Sequence, residues 1–337
     1  MAFDLRELAV PVIVAPMAGG PTTPELAAAG TNAGGLGFVA AGYLTAEALA
    51  DRISETRRLT TGALGVNLFA SQPSTVRAGE IERYEAELAG EVTRYGAPLG
   101  DPEFNDDAWS AKLDVVVELR PEVVSFTFGG PTADECARLR QAGITTVATV
   151  TTVAEAQLAV ASGVDALAVQ GPGAGGQLCT YDPLAAPATQ PLTELLADVL
   201  AATKLPVVAA GGLMTADDVA AVTAAGAVAA QLGTAFLLAD ESGSSPVHRA
   251  ALVDPRFTET VVTKAFSGRY ARGLRNRFID EHDGQAPLGY PEVHYLTSPV
   301  RKAAVAAGDP DGTNVWAGTG FRKIRSGSVA DIMAGLV

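Results

Sequence analysis

Short, continuously apolar runs recur along the first two thirds of the chain, and each is followed by a polar stretch with helical spacing. Residues 10–17 (VPVIVAPM) form the first, rich in β-branched side chains and stopped by Gly19-Gly20-Pro21. Residues 36–42, 64–69, 123–128 and 145–150 follow, then 165–169, 206–212 and 228–237. Runs this short with β-branched enrichment predict buried strands. Helix starts separate them. Thr23 precedes Pro24 and Glu25, Thr45 opens 46–58, Thr132 and Thr152 open two more, and Thr215 with Asp218 reads as a capping box. Residues 74–119 are mostly helical and polar, broken near 96–105.

The strands do not alternate apolar with polar, so both of their faces are covered. Eight strand–helix units over about 240 residues predict a (β/α)8 barrel, an α/β fold. The competing arrangement is a doubly wound open sheet, but no GxGxxG follows the first strand. On this reading residues 1–239 are the barrel. The pattern then changes: 240–315 hold Gly, Pro, Arg and aromatics with little period and predict a segment covering the barrel mouth. Residues 316–337 return to the barrel, with a closing helix over 326–337.

One run breaks in an informative way. After the strand at 165–169 come Gly171, Gly173, Gly175 and Gly176, interrupted by the amides Gln170 and Gln177. Clustered glycines at a strand's carboxyl end let backbone N–H groups approach a ligand, although a plain turn has the same composition. Gly211-Gly212 end the seventh strand, and Gln231-Leu232-Gly233-Thr234 lie in the eighth. In barrels these two positions often cradle a phosphate; tight helix–strand packing is the alternative. Met17, Asn67, Gln170 and Gln177 converge on the same face. A polar amide inside a core strand, as at Asn67, needs a protein or ligand partner. Amides and a thioether suit the edge of a flat heteroaromatic ring better than a metal. Flavin mononucleotide (FMN) would satisfy both cradle and amides.

Composition narrows the class. The 337 residues carry a formal charge of −14, which argues against nucleic acid and anionic membranes as partners. Cys136 and Cys179 form no CxxC pair, so neither zinc nor a disulfide framework is expected. No signal peptide or apolar span is visible, so a soluble cytoplasmic protein is expected.

The chain resembles the nitronate monooxygenases (2-nitropropane dioxygenase-like), which use FMN on such a barrel. The resemblance rests on APMAGG (15–20), NAGGLGF (32–38), GVNLF (65–69), VSFTFG (124–129), AGG (174–176), AAGGL (209–213), QLGTAFL (231–237), KAFSGRYARGL (264–274) and WAGTG (316–320), in order from end to end. It implies FMN contacts at Asn67, Gln170, Gly175, Gly212, Gln231, Leu232, Gly233 and Thr234, with Met17 packing on the ring. It also implies a small nitronate and O2 as partners, and leaves room for a homodimer.

One departure matters. The family usually reads AGGH, with that His as catalytic base, and here Gln177 takes the place. An amide cannot accept a proton near neutral pH but still donates a hydrogen bond. Oxidation of preformed nitronates is therefore expected, with poor handling of neutral nitroalkanes. His294, in YPEVHYL, is the candidate replacement base, with a solvated surface role as the alternative. Tyr181 and Cys179 lie nearer Gln177 in sequence, and Cys179 reads as inert packing. Arg269, Arg272, Arg275 and Arg277 are either an anion-attracting run or a solvated face. Two other functions fit the same residues: an NAD(P)H-dependent reductase of a quinone or enoyl thioester, and a flavin-binding barrel without activity.

Overall fold

A computed structural model describes residues 2–337. Eight parallel strands close on themselves: β1 (Val12–Val14), β2 (Leu36–Ala40), β3 (Leu64–Phe69), β4 (Val123–Thr127), β5 (Thr145–Val150), β6 (Ala166–Gln170), then β8 (Val207–Ala210) and β9 (Ala229–Leu232). Closure is the β1–β9 pairing, with Val12 opposite Ala230 and Val14 opposite Leu232. Between β6 and β8 lies the two-residue strand β7 (Gly176–Gln177), which belongs to a second sheet. There it pairs with β11 (Ala271–Leu274), itself antiparallel to β10 (Thr260–Thr263). The fold is the expected (β/α)8 barrel, and the open sheet is excluded.

The barrel interior is packed solid. Ile13, Leu36, Phe38, Val123, Val147, Ala166, Ala168, Val208 and Ala229 fill it, with Leu5 closing the N-terminal end. Outside, the strand faces meet the helix layer through clusters containing Val14, Leu26, Leu167 and Phe236 on one side and Leu49, Val66, Leu113 and Phe126 on the other. All five expected threonine caps form. Thr23 accepts from Leu26 N–H at 2.9 Å, and Thr215 and Asp218 bond each other's backbone at 3.2 and 3.0 Å.

The structure revises several boundaries. β1 is three residues rather than eight, because Thr22 Oγ1 takes the Met17 N–H at 2.8 Å and turns the chain away. The eighth barrel strand stops at Leu232. Thr234–Phe236 coil into a 3-10 turn, and Arg249 caps the carbonyls of Leu237, Leu238 and Ala239. Residues 240–315 are more regular than their pattern suggested: they hold helices Pro246–Val253, Arg277–His282 and Glu292–Ala306 besides β10 and β11. The last helix shrinks to Val329–Ala334, capped by Ser328. No helix among the described residues is long and apolar enough to cross a membrane.

Candidate active site

The barrel strands deliver their carboxyl ends to one face, where the glycine-rich stretch folds back over the mouth. Gln170 organises that fold. Its Oε1 accepts the Cys179 N–H at 2.9 Å, and its Nε2 reaches Gln177 O at 3.4 Å. Gly175 is required by packing: a Cβ there would lie 2.5 Å from Ala317 C and Gly318 N. The segment around Gly318 is pinned to Thr234, whose Oγ1 accepts the Gly318 N–H at 2.9 Å, while Thr319 N–H donates to Gly173 O at 3.0 Å.

At the ends of β8 and β9 the backbone is left open. Gly211 and Gly212 have φ of +109° and +82°, available to glycine at little cost. Among the described residues, no protein acceptor takes the N–H of Gly212, Gly233 or Thr234. A Cβ on Gly233 would meet nothing closer than 3.5 Å, with Met17 Sδ among its neighbours. Three free donors at the strand ends fit an anion such as a phosphate. Gln231, half-buried, and Leu232, buried, lie immediately before them in β9.

Asn67 finds its partner in the protein. Its Nδ2 donates to Ser125 Oγ at 2.9 Å and Thr127 Oγ1 at 3.0 Å on the neighbouring β4. Its Oδ1 receives only a long 3.5 Å contact from Thr127, so acceptor capacity remains. Gln177 is less satisfied. Oε1 accepts the Tyr43 hydroxyl at 3.3 Å, but Nε2 is buried with no partner among the described residues.

An aromatic wall extends from Tyr43, the partner of Gln177. Tyr43 stacks on His294 with centroids 4.2 Å apart and planes 2° from parallel. Tyr43 meets Phe69 at 5.6 Å, Phe69 meets Phe128 at 4.8 Å, and Phe128 meets Tyr290 at 5.6 Å. Tyr43, Phe69, Gln72, Tyr290 and Tyr295 line a remaining space of about 20 Å³, room for roughly one water. Tyr43 and Phe128 both have left-handed backbone, φ +69° and +73°. Bulky residues rarely adopt it, and such strain gathers at functional sites.

Ionisable groups around this wall are held away from proton acceptance. Burial pushes the Tyr43 hydroxyl and the Cys179 thiol up to about 12. Burial likewise raises Tyr290 and Tyr181. His294 is driven well below the usual histidine range by burial and by the cations of Arg301 and Lys302. Its Nδ1 lies 3.3 Å from Arg301 Nη2, which can only donate, so that lone pair is occupied. Asp107 is committed too, through Lys112 at 2.7 Å and the Tyr43 N–H at 2.9 Å.

Two guanidiniums, Arg269 buried and Arg301 half-buried, lack a carboxylate. Arg269, 1% exposed, donates to Gln72 Oε1 at 2.6 Å, to the carbonyls of Leu178 and Thr180, and to Thr180 Oγ1, and lies 4.0 Å over the Phe128 ring. Arg301 donates to Thr297 Oγ1, Asn314 Oδ1 and His294 O at 3.0, 2.8 and 2.8 Å. Burial lowers both to about 10, so both stay charged at neutral pH.

The arginine run therefore does not act as one face. Arg269 is buried, Arg272 bonds Pro172 O at 3.1 Å, Arg275 pairs at the surface with Asp280 and Glu259, and Arg277 clamps Glu91. The residues that sequence reasoning missed are Tyr43, Phe69, Phe128, Gln72 and Arg301. Only Tyr43 gave a signal, a polar aromatic directly after Gly42 at a strand's carboxyl end.

Comparison with known proteins agrees along the whole chain. A probable nitronate monooxygenase from Staphylococcus aureus (strain JH9) is 36% identical over 344 residues, covering 99% of this chain and 95% of that one. A crystal structure of a nitroalkane oxidase from Streptomyces ansochromogenes superposes with a TM-score of 0.94 at 47% identity, covering 98% of this chain and 96% of that one. FabK from Thermotoga maritima shares the fold at 26% identity and a TM-score of 0.76, covering 98% and 93%. The family model described as nitronate monooxygenase matches residues 4–337, and the chain belongs to that family.

Proposed function

We propose that this protein is an FMN-dependent enzyme that oxidises alkyl nitronates with O2 and turns over neutral nitroalkanes poorly. The observation that carries the reading is Gln177 with its free amide donor, and a neighbouring His294 whose Nδ1 lone pair faces the Arg301 guanidinium. A nitroalkane must lose its α-proton before oxidation, whereas a nitronate arrives ionised. General base catalysis contributes about 10²–10⁴-fold, and this site forgoes it.

The free N–H groups of Gly212, Gly233 and Thr234 suit the FMN phosphate. Met17, in the turn after β1, and Gln231 and Leu232 of β9 would border the ring, with Asn67 of β3 and Gln170 of β6 at other strand ends. Bound FMN would supply the two-electron redox chemistry. The protein contributes an aromatic wall, one oriented amide donor, and two guanidinium cations without carboxylate partners, whose field favours an anion over its neutral acid. The Streptomyces relative is a nitroalkane oxidase, so neutral nitroalkanes are the substrates against which Gln177 has to be tested.

The test compares initial rates on ethylnitronate and on freshly dissolved nitroethane, using protein with measured flavin content. We expect kcat/KM to favour the anion by about 10²-fold or more. Comparable values would overturn the reading. A second reading, an NAD(P)H-dependent reductase acting on a quinone or an enoyl thioester, draws on the same absent base, since hydride transfer needs none at position 177. The fold shared with FabK keeps it in view. Rapid flavin bleaching on anaerobic mixing with NADH would select it.

A further inference from the structure

Tyr43 stands where four parts of the chain meet. It follows β2 in a left-handed conformation, φ +69°. Its N–H is held by Asp107 Oδ1 at 2.9 Å. The other oxygen of that carboxylate lies 2.7 Å from the ammonium of Lys112, which is 1% exposed and also donates to Ala41 O at 2.9 Å. A buried ion pair from the segment before β4 thus fixes a strained turn after β2. The covering segment fixes the ring, through the parallel stack on His294, and Phe69 of β3 meets its edge.

A ring clamped on its backbone, its face and its edge holds its hydroxyl in place, next to that of Tyr290. There it donates to Gln177 Oε1, 3.3 Å away. An amide has one acceptor end and one donor end. With Oε1 engaged by Tyr43, Nε2 is turned the other way, and it is the buried donor without a protein partner. A released amide would be free to flip and present its oxygen instead, which repels an anion. The surroundings call for an anion as well: Arg269, buried, and Arg301, half-buried, have only neutral acceptors and an imidazole bonded to them.

We propose that Tyr43 is a positioning residue that holds the Gln177 amide with Nε2 facing the charged oxygens of the bound nitronate. This rests on the function proposed above. It assigns Gln177 a direct role as donor to the substrate and Tyr43 a role only through Gln177.

Tyr43→Phe removes one oxygen and keeps the ring stack. The backbone conformation remains open to phenylalanine, since Phe128 adopts the same one in this protein. The probe is propionate, a carboxylate with the planarity, charge and size of ethylnitronate but no oxidisable centre. Its dissociation constant is read from the absorbance change of the FMN-loaded protein, alongside KM and kcat for ethylnitronate. Tyr43→Phe should weaken propionate about tenfold and raise KM similarly, with kcat and flavin content little changed; a tenfold loss corresponds to about 1.4 kcal/mol. Gln177→Leu should do the same, and the double variant should be no worse than Gln177→Leu alone, because Tyr43 acts through that amide.

Gln177→Glu keeps an acceptor for Tyr43 while replacing the donor, and should lose propionate by more than tenfold. That variant keeps the idea testable should Tyr43→Phe fold poorly. Independent, multiplying losses in the double variant would overturn the proposal, as would unchanged propionate affinity in Tyr43→Phe or Gln177→Glu. Wild-type protein that binds propionate but does not oxidise ethylnitronate would sink the proposed function and leave the positioning role standing. Binding of neither would sink both.

Discussion

Placing a histidine at position 177 should give this enzyme a base. The backbone there is held independently of the side chain: Gln177 lies opposite Ala271 in β7–β11, and the next residue's N–H donates to Tyr270 O at 2.9 Å. The left-handed residue of the turn is Gly176, φ +74°, so position 177 accepts any side chain without backbone strain. An imidazole of about the same reach would bring one nitrogen near the Tyr43 hydroxyl, which now lies 3.3 Å from Oε1. General base catalysis offers about 10²–10⁴-fold. Two features hold the gain near the lower end. Tyr43, protonated up to about pH 12, competes as a donor for the lone pair that must take the proton. The uncompensated Arg269 and Arg301 charges also lower the imidazole's proton affinity. We therefore expect Gln177→His to raise kcat/KM on neutral nitroethane about 10²-fold, equivalent to about 2.7 kcal/mol of barrier. Turnover of ethylnitronate should change far less.

The assay is oxygen uptake with freshly dissolved nitroethane and with preformed ethylnitronate, across pH 5 to about 8. In the variant the nitroethane rate should rise with pH and level off above the imidazole pKa, because only the unprotonated ring accepts the α-proton. A rise of less than about threefold, with nitronate turnover and flavin content retained, would refute the claim that a missing proton acceptor limits this site.

Gly233→Ala and Gly175→Ala should separate cofactor contact from packing. The first meets nothing closer than 3.5 Å and should shift stability by less than about 0.5 kcal/mol while weakening FMN retention; the second would press on Ala317 and Gly318 and should lower the melting temperature as well. Arg269→Lys orphans part of a hydrogen-bond set spanning Gln72, Leu178 and Thr180, and should cost about 2–3 kcal/mol by urea titration; a loss under about 0.5 kcal/mol would mean that the fork geometry is unimportant. His248, its pKa lowered to about 4 by burial, donates through Nε2 to Trp316 O at 2.9 Å and stays neutral in the fold. The unfolded chain takes up a proton below about 6.5 and the folded one does not, so stability should fall as pH drops from about 6.5 to about 4, by up to about 3 kcal/mol. His248→Gln should flatten that slope.

The barrel was legible because its signals are local. Eight apolar runs, with threonine caps in five of the gaps between them, carry their meaning within a few residues, and every one of those runs contributes a barrel strand. Boundaries slipped where a distant group intervenes. Arg249 reaches back to the carbonyls after β9 and converts an apolar run into a turn. The 15-residue helix Glu292–Ala306 was hidden for a related reason. It carries Pro299 in its interior and buries Glu292 and Thr297, so its pattern looks irregular until its partners Ser74 and Phe266 are known.

The site divides along the same line. Glycines and amides at strand ends announce themselves in sequence, because their spacing from a strand is fixed. What decides their chemistry is set by residues far away in the chain. Gln177 is oriented by Tyr43, 134 positions earlier, and the lone pair of His294 is taken by Arg301 on the next turns of its own helix. Arg269, read from sequence as one of a basic run, is bonded instead to Gln72, 197 positions away. A sequence motif can therefore say that the usual base is replaced by an amide. Only the assembled mouth explains why His294 does not take over: its Nδ1 lone pair faces Arg301, while Asp107 is committed to Lys112 and the Tyr43 N–H.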